Sequence, residues 1–271
     1  MRSAVTISLV PEARGGPFVF WDDLAAGCAS AAELGFDAVE IFPVSADALD
    51  ITQVKQLLDA HGLKCAAIGT GAGWVKHKLR LTDPDGTVRR WAIEFISQII
   101  DTAATFGAPA IIGSMQGNWG NGVPREQAFG WLGEGLVTLA EHAAKHGVPL
   151  LYEPLNRYET NLFNCQGEAA TFLRGLRSPN IKLLCDLFHM NIEEASIADA
   201  LRAAGPLVGH VHFVDSNRQA MGWGHTDMAP IMGALREINY AGYLSAEVFP
   251  LPDSEAAARQ SMESFRRWTA Q

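Results

Sequence analysis

The chain has 271 residues, of which 48% are hydrophobic and 19% charged, and its formal net charge is −9. This balance is typical of a folded globular protein, and the negative charge argues against a general nucleic-acid binder, which needs a basic surface. No stretch reaches the roughly 18 apolar residues of a membrane span, and the first residues are too polar for a signal peptide. The four cysteines form no CxxC pair, so we expect a reduced, cytoplasmic protein.

Short apolar runs alternate with helix-like segments along the chain, which is the pattern of βα units and a parallel sheet. Eight runs have the composition of strands, and eight is the strand number of a TIM barrel. They lie at residues 4–10, 36–42, 64–70, 109–114, 149–154, 182–187, 208–214 and 243–249. No linker interrupts the series, so we predict an α/β fold, one (β/α)8 TIM-barrel domain over residues 1–271. A doubly wound open sheet is the competing architecture, but no glycine-rich phosphate-binding motif supports it.

Glycines recur where the predicted helices end and the next strand begins. Gly35, Gly62, Gly107 and Gly147 occupy such positions, and glycine ends helices readily because it adopts the left-handed backbone conformation. We therefore expect short loops at that end of the barrel. The segments after the strands are longer and richer in polar and aromatic residues, which favours the other end as the place of the active site.

Four strongly polar residues stand at or near the C-terminal ends of the last four predicted strands: Glu153, Asp186, His212 and Glu247. They are about one βα unit apart, so a barrel would bring them to one mouth. Each alone could pair with an arginine or cap a helix, but three carboxylates and an imidazole converging on a dry site repel one another unless a cation lies between them. We therefore predict one divalent metal. The oxygen-rich donor set favours Mn²⁺, with Co²⁺, Mg²⁺ and Zn²⁺ as alternatives.

The segments around these residues resemble the motifs of one family. EPLNRYET, CDLFHMN, GHVHFVDSNR and ALREINYAGYLSAEVF are similar to segments of the xylose-isomerase-like TIM-barrel superfamily, most closely its ketose 3-epimerase branch, typified by D-tagatose 3-epimerase and D-psicose epimerase. The match covers residues 149–250, whereas the first half matches only in its strand-helix rhythm. The resemblance implies that a divalent metal, usually Mn²⁺, is held by Glu153, Asp186, His212 and Glu247.

The resemblance also implies which residues contact the substrate. They are Glu159 of the RYE segment, His189 three residues after the aspartate ligand, and Arg218 of the DSNR segment. The substrate would be a small sugar, and the family favours a homodimer or homotetramer. We expect neither nucleic acid nor a membrane as a partner.

The chemistry of these residues fits proton transfer beside a carbonyl. Such a transfer needs a base on one face of the carbon, an acid on the other, and a group that stabilises the enediolate. Glu153 and Glu247 are candidates for the acid and base, and a metal for the stabilising group. We expect C3 epimerisation of a ketose through a metal-stabilised enediolate. His189 and Arg218 would polarise the C2 carbonyl, and Glu159 would hold a terminal hydroxyl or a metal-bound water.

Other reactions share this chemistry. An aldose–ketose or hydroxypyruvate-type isomerase differs only in the carbon that is reprotonated, and a polyol-ketone dehydratase begins with the same proton abstraction. Two functions of a different class fit the sequence less well. The superfamily that the chain resembles includes metal-dependent apurinic endonucleases, but these need several more histidines and a basic surface, which this sequence does not offer. A sugar-binding barrel without activity would not need two glutamates that face each other.

Further polar residues receive simpler interpretations. Glu40, at the end of the second strand, faces the predicted mouth, and we expect it to pair with a neighbouring arginine or lysine rather than with substrate. His225 lies in a glycine-rich loop, where loop geometry is a better explanation than a second metal site. We expect His61, His142 and His146 to be solvated on their helices.

Overall fold

The computed structural model describes residues 1–120, 122–178 and 180–270; Asn121, in the loop after the fourth predicted strand, lies outside the described residues. Parallel strands close into a barrel, because the first strand pairs with the last. The strands are Arg2–Ser8 (β1), Phe20–Trp21 (β2), Ala38–Phe42 (β3), Lys64–Gly69 (β4), Ala110–Ile112 (β5), Leu150–Tyr152 (β6), Ile181–Asp186 (β7), Val208–His212 (β8) and Tyr243–Ala246 (β9). The short β2 pairs with the end of β1, and the other eight form the barrel. The predicted TIM-barrel fold is confirmed.

The helices surround this barrel. They are Leu24–Leu34 (α1), Ile51–His61 (α2), Ala72–Val75 (α3), Gly86–Ala104 (α4), Arg125–Lys145 (α5), Gln166–Gly175 (α6), Leu187–Glu193 (α7), Ile197–Ala204 (α8), Met228–Glu237 (α9) and Ser254–Thr269 (α10). In α4, Ile96, Ile99 and Ile100 repeat at the spacing of one helical face, and all three are buried. In the part of the chain that the structure describes, no helix has both the length and the apolar character needed to cross a membrane.

The glycines predicted to end helices have the expected conformation. Gly35 caps α1 at φ 86° and Gly62 caps α2 at φ 66°. Gly107 and Gly147 follow α4 and α5 with φ values of 66° and 71°. Because each αβ connection is short, these helices end close to the start of the next strand, at the end of the barrel opposite its mouth.

The interior of the barrel changes from apolar to charged along its axis. Ala38, Glu40 and Phe42 share the inward face of β3, because alternate side chains of a strand point to the same side. Ala38 packs at the bottom with Tyr243, whereas Glu40 in the middle contacts His210 of β8. Buried polar groups in the middle of the barrel therefore lie directly beneath the residues of its mouth.

The loop between β1 and α1 folds over one side of the mouth. Its β2 segment pairs with Ile7 and Ser8 at the end of β1. Phe18 packs on Phe42 with ring centroids 4.5 Å apart and makes an edge contact with Trp21 at 5.3 Å. These aromatic contacts hold the loop in place at one side of the barrel mouth.

Candidate active site

The four residues at the predicted strand ends meet at the mouth of the barrel. Asp186 and His212 are the last residues of β7 and β8, and Glu153 and Glu247 follow β6 and β9 by one residue. Nδ1 of His212 lies 3.2 Å from Oδ2 of Asp186 and 3.5 Å from a carboxylate oxygen of each glutamate. All four side chains are buried. The structure thus surrounds one imidazole nitrogen with three carboxylates.

The electrostatics of the cluster reflect this crowding. Burial raises the pKa of Glu247 well above its ordinary value, and the negative charges of Glu153 and Asp186 raise it further. Burial alone would lower the pKa of His212, but the carboxylates of Glu247 and Glu40 raise it well above its usual range. A divalent cation among these groups would relieve the repulsion between the carboxylates.

The cluster also fits such a cation sterically. Among the described residues, Oε1 of Glu153 is a buried oxygen without a hydrogen-bond partner, and ligand atoms of Glu153, Asp186 and His212 lie within 4.8 Å of one another. A Cβ atom at residue 113 would stand 2.5 Å from Oε2 of Glu153, so only glycine leaves this carboxylate its place. Carboxylate oxygens with one imidazole suit Mn²⁺, Co²⁺ or Mg²⁺.

Glu40 holds His212 from inside the barrel. Its two oxygens lie 3.0 Å from Nε2 of His212 and 2.7 Å from Nε2 of His210. The expectation that Glu40 pairs with an arginine or lysine was therefore wrong: its partners are histidines. A carboxylate that accepts the Nε2 proton of His212 leaves Nδ1 free to face the mouth.

His210 was not among the predicted site residues, although the sequence carries a signal for it. In GHVH the two histidines are two residues apart, and such residues share one face of a strand. Because His212 was assigned to the mouth, His210 had to point into the barrel below it. Ligand atoms of Glu40, His210 and His212 also lie within 4.8 Å of one another, but both oxygens of Glu40 already contact imidazole nitrogens.

The three predicted substrate contacts lie beside the two glutamates. Arg218 places one guanidinium nitrogen 3.4 Å from Glu159 and the other 3.5 Å from Glu247. Nε2 of His189 lies 3.9 Å from Glu153, and its Nδ1 lies 3.9 Å from Glu159. All five side chains line the same cavity.

Asn156 orients two of these residues from the loop after β6. Its side-chain nitrogen lies 3.1 Å from Oε1 of Glu159 and 2.7 Å from Nδ1 of His189. Arg157, the next residue, pairs with Glu193 at the end of α7 through its backbone and its guanidinium. The RYE segment is thereby tied to the helix that carries His189.

Asp215 organises the loop that carries Arg218. Its carboxylate accepts hydrogen bonds from the backbone N–H groups of Ser216, Gly222 and Thr226, at 2.7, 2.7 and 3.0 Å. Its backbone carbonyl accepts the N–H of Arg218 at 2.9 Å. Arg218 has a φ of 60°, a left-handed conformation that costs a residue with a side chain about 1–2 kcal/mol. The hydrogen bonds hold the arginine in this position over the cavity.

The opposite wall of the cavity is small and apolar. It is formed by Val10, Phe18, Phe42, Gly69 and Ile111, from β1, β3, β4, β5 and their loops. A Cβ atom at Gly69 would lie 2.1 Å from the ring of Phe42, so the ring occupies space that only a glycine leaves open. The cavity has a volume of about 280 Å³, which is enough for a small ligand only.

Three further histidines that the sequence singled out lie away from the mouth cluster. His225 is exposed, and its backbone N–H bonds the hydroxyl of Ser216, which agrees with a role in loop geometry. His142 and His146, which we expected to be solvated, instead both contact Asp101. That expectation was therefore incomplete.

Comparison with known proteins gives consistent relatives. Residues 28–268 match the family described as Xylose isomerase-like TIM barrel. The chain is 32% identical over 226 residues to a D-psicose 3-epimerase of Agrobacterium fabrum, covering 80% of this chain and 76% of that one. It is 31% identical over 245 residues to an L-ribulose 3-epimerase of Methylomonas sp. (strain DH-1), covering 87% and 84%. A crystal structure of a D-allulose 3-epimerase from Methylomonas sp. matches with a TM-score of 0.82 and 25% identity over 99% of each chain.

Proposed function

The chain belongs to the xylose isomerase-like TIM-barrel family, and on that basis we propose that it is a divalent-metal-dependent ketose 3-epimerase. Relatives that are 31–32% identical over most of its length carry epimerase names, so the chain is an isomerase. Among the reactions that the sequence left open, C3 epimerisation agrees best with these relatives.

One observation supports the mechanism: each of the two glutamates lies beside one of the residues that we propose to bind the substrate. Glu153 and Glu247 both place a carboxylate oxygen 3.5 Å from Nδ1 of His212. Glu153 lies beside His189 and Glu247 beside Arg218. Two carboxylates from β6 and β9 can therefore flank one substrate carbon, which epimerisation with an acid and a base requires.

We assign the metal to Glu153, Asp186, His212 and Glu247, with Mn²⁺ as the preferred ion. When bound there, a divalent cation supplies Lewis-acid stabilisation of the charge that develops on the substrate oxygens, worth several kcal/mol. The unpartnered oxygen of Glu153 and the three carboxylates around His212 support this assignment.

The protein side chains move the proton. One of Glu153 and Glu247 removes the C3 proton of the ketose, and the other returns a proton to the opposite face of the same carbon. His189 and Arg218 donate hydrogen bonds to the C2 carbonyl oxygen, where negative charge develops. Glu159 accepts a hydrogen bond from a terminal hydroxyl and thereby fixes the orientation of the chain of carbons.

The charges around the cavity favour an unphosphorylated ketose. Two arginines line it, and both are already paired: Arg14 with Asp22, and Arg218 with Glu159 and Glu247. A phosphate group would have to compete with these carboxylates for its partner. We therefore expect free ketoses to be better substrates than their phosphates.

Two further proposals concern location and assembly. The four cysteines are free, which supports a reduced compartment such as the cytoplasm. The family resemblance supports a homodimer or homotetramer, and light scattering after size-exclusion chromatography measures which one forms.

Solvent-isotope exchange tests the reaction. Metal-stripped protein, with and without Mn²⁺, is incubated in D₂O with a panel of free and phosphorylated ketoses, and the products are analysed by chromatography and NMR. We expect Mn²⁺-dependent deuterium at C3 together with the C3 epimer. Deuterium at C1 or C2 with an aldose product would identify an aldose–ketose isomerase instead. Loss of water would identify a dehydratase, and a protein that binds a ketose without any exchange would contradict the proposal.

A further inference from the structure

A second group of metal-ligand side chains lies on the outside of the barrel. Asp101 is in the last turns of α4, His142 is in the last turn of α5, and His146 follows α5 directly. Nε2 of His142 lies 2.6 Å and Nε2 of His146 2.9 Å from the same oxygen of Asp101. We infer that these three side chains form a second metal site, for a divalent ion that prefers imidazole ligands, such as Zn²⁺, Ni²⁺ or Cu²⁺.

The spacing of the two histidines favours this interpretation. Residues four apart on a helix project from the same face, so His142 and His146 present their rings side by side, with centroids 5.4 Å apart. Asp101 approaches them from the neighbouring helix, and ligand atoms of all three lie within 4.8 Å of one another. Two helices are thus bridged by a ready set of two nitrogens and one oxygen.

The distances need only a small adjustment. Ligand atoms about 2.1 Å from a tetrahedral zinc stand about 3.4 Å apart. The observed nitrogen–oxygen distances of 2.6 and 2.9 Å must therefore open by less than about 1 Å. The side chains are 28%, 38% and 51% exposed for His142, His146 and Asp101, so they have room to move, and water can fill the remaining positions.

Two physical arguments favour a cation at this place. The cluster lies at the C-terminal ends of α4 and α5, where the helix dipoles attract positive charge. Neutral imidazoles are good ligands for zinc, copper and nickel, whereas magnesium and manganese prefer oxygen. The second site, which we call the outer site, should therefore bind a different ion from the one that the carboxylate-rich mouth binds. The group of Asp101, His142 and His146 lies at the end of the barrel opposite the mouth, because the helices that carry it end where the next strand begins.

Metal stoichiometry tests this inference independently of catalysis. Protein without a histidine tag is stripped of metal and equilibrated with Ni²⁺, and bound nickel is measured by mass spectrometry in the wild type and in the His142→Gln/His146→Gln variant. We expect the wild type to bind one equivalent more than the double variant. His61→Gln is the matched control, because His61 is also in the last turn of a helix but belongs to no such group among the described residues. It should bind as much nickel as the wild type.

Spectroscopy and stability add independent readouts. Cu²⁺ in the wild type should show electron paramagnetic resonance couplings to imidazole nitrogens from the outer site, and the double variant should lack them. Ni²⁺ should raise the melting temperature of the wild type more than that of the double variant, while both melt alike in EDTA and bind Mn²⁺ alike. Asp101→Asn keeps both histidines and should weaken nickel binding at least tenfold, which tests the site even if the double variant does not fold. Equal nickel stoichiometry in the wild type and the double variant, or equal nickel affinity in the wild type and Asp101→Asn, would overturn the inference.

Discussion

The two halves of the barrel contribute different chemistry to one cavity. Strands β6 to β9 carry four polar residues at their ends or one residue beyond them: Glu153, Asp186, His212 and Glu247. The strands β3 to β5 and their loops present Phe42, Gly69 and other small or apolar groups to the same space. If the proposed function is correct, the second half performs the reaction and the first half shapes the space that binds the substrate. Substitutions should follow this division, lowering turnover in one half and weakening substrate binding in the other.

The largest effect is expected for Glu247→Gln in the second half. Glutamine keeps an oxygen that can face a metal but cannot accept or return a proton. Removing general acid–base catalysis typically costs about 10²–10⁴-fold in rate, so we expect kcat to fall about 10³-fold. Deuterium exchange at C3 and product formation measure this, with bound Mn²⁺ determined in parallel.

The control for this variant is Glu33→Gln, at an exposed position of α1, which should leave kcat unchanged. If Glu247→Gln retains Mn²⁺ and epimerises at the wild-type rate, the assignment of this residue to proton transfer is wrong.

Glu40→Gln should break the simple division between the halves. Glu40 belongs to β3, yet it holds His212 of β8. Each oxygen of the Glu40 carboxylate now contacts one imidazole nitrogen. Glutamine would replace one of these oxygens with an NH₂ group, which cannot accept a hydrogen bond from the imidazole. Loss of such a supporting carboxylate typically costs 10–100-fold in metal affinity, so we expect the Kd for Mn²⁺ to rise by about 10–100-fold, measured by calorimetry.

Histidine NMR distinguishes this role from a general loss of structure. In the metal-free wild type the nitrogen shifts of His212 should report a proton on Nε2, and in the variant they should change. Unchanged Mn²⁺ affinity in Glu40→Gln would restore the strict division, with Glu40 only filling the barrel.

The same division explains how much of the site could be predicted. Charges at strand ends stand out in a sequence, so Glu153, Asp186, His212 and Glu247 were predicted from their register. The apolar wall of the cavity could not be predicted, because in the sequence Phe42 and Gly69 cannot be distinguished from ordinary core residues. The contact between Glu40 and His210 could not be predicted either. The two residues are 170 positions apart along the chain, and only closure of the barrel brings them together.

The fold was predictable because its signals are local. Each barrel strand lies within or overlaps a predicted apolar run, but several runs extended too far at their C-terminal ends: the run 149–154 contains β6 at Leu150–Tyr152 only. There the chain leaves the sheet to enter the site, while its residues stay apolar or buried. The two-residue β2 was missed, because its pairing depends on a loop folding back over the mouth.

A smaller effect is expected for Phe18→Ala in the first half. Phe18 lines the cavity and packs on Phe42, so its removal widens the apolar wall and costs binding of the substrate about 1–2 kcal/mol. We expect KM to rise about 5–30-fold, with kcat within about threefold of the wild type, because the ring takes no part in proton transfer. Steady-state kinetics with the preferred ketose measure the two constants.

Trp91→Ala is the aromatic control, since Trp91 is 55% exposed on α4 and should change neither constant. A large loss of kcat in Phe18→Ala at constant KM would show that the first half also acts in the chemical step.

The smallest effect on catalysis is expected for Asp215→Asn, which tests how the second half holds Arg218. Burial opposes a low pKa for Asp215, but backbone N–H groups, including those of Thr226 and Ser216, lower it below the usual value. A carboxyl group with a lowered folded-state pKa stabilises the protein above its unfolded pKa of about 4, and this contribution is lost as the pH falls through the folded value. At pH 6, asparagine would place an NH₂ group against a backbone N–H and cost about 1–2 kcal/mol.

Urea unfolding of the metal-free protein between pH 6 and pH 3 measures this difference in the free energy of unfolding. It should narrow as the pH falls below about 4, because a protonated aspartic acid also presents a donor to these N–H groups. KM for the ketose should rise in the variant, since Arg218 depends on the same loop through its hydrogen bond to the carbonyl of residue 215. A stability difference that stays constant with pH would mean that the charge of Asp215 does not organise the loop, and Arg218 would then owe its position to its ion pairs with Glu159 and Glu247.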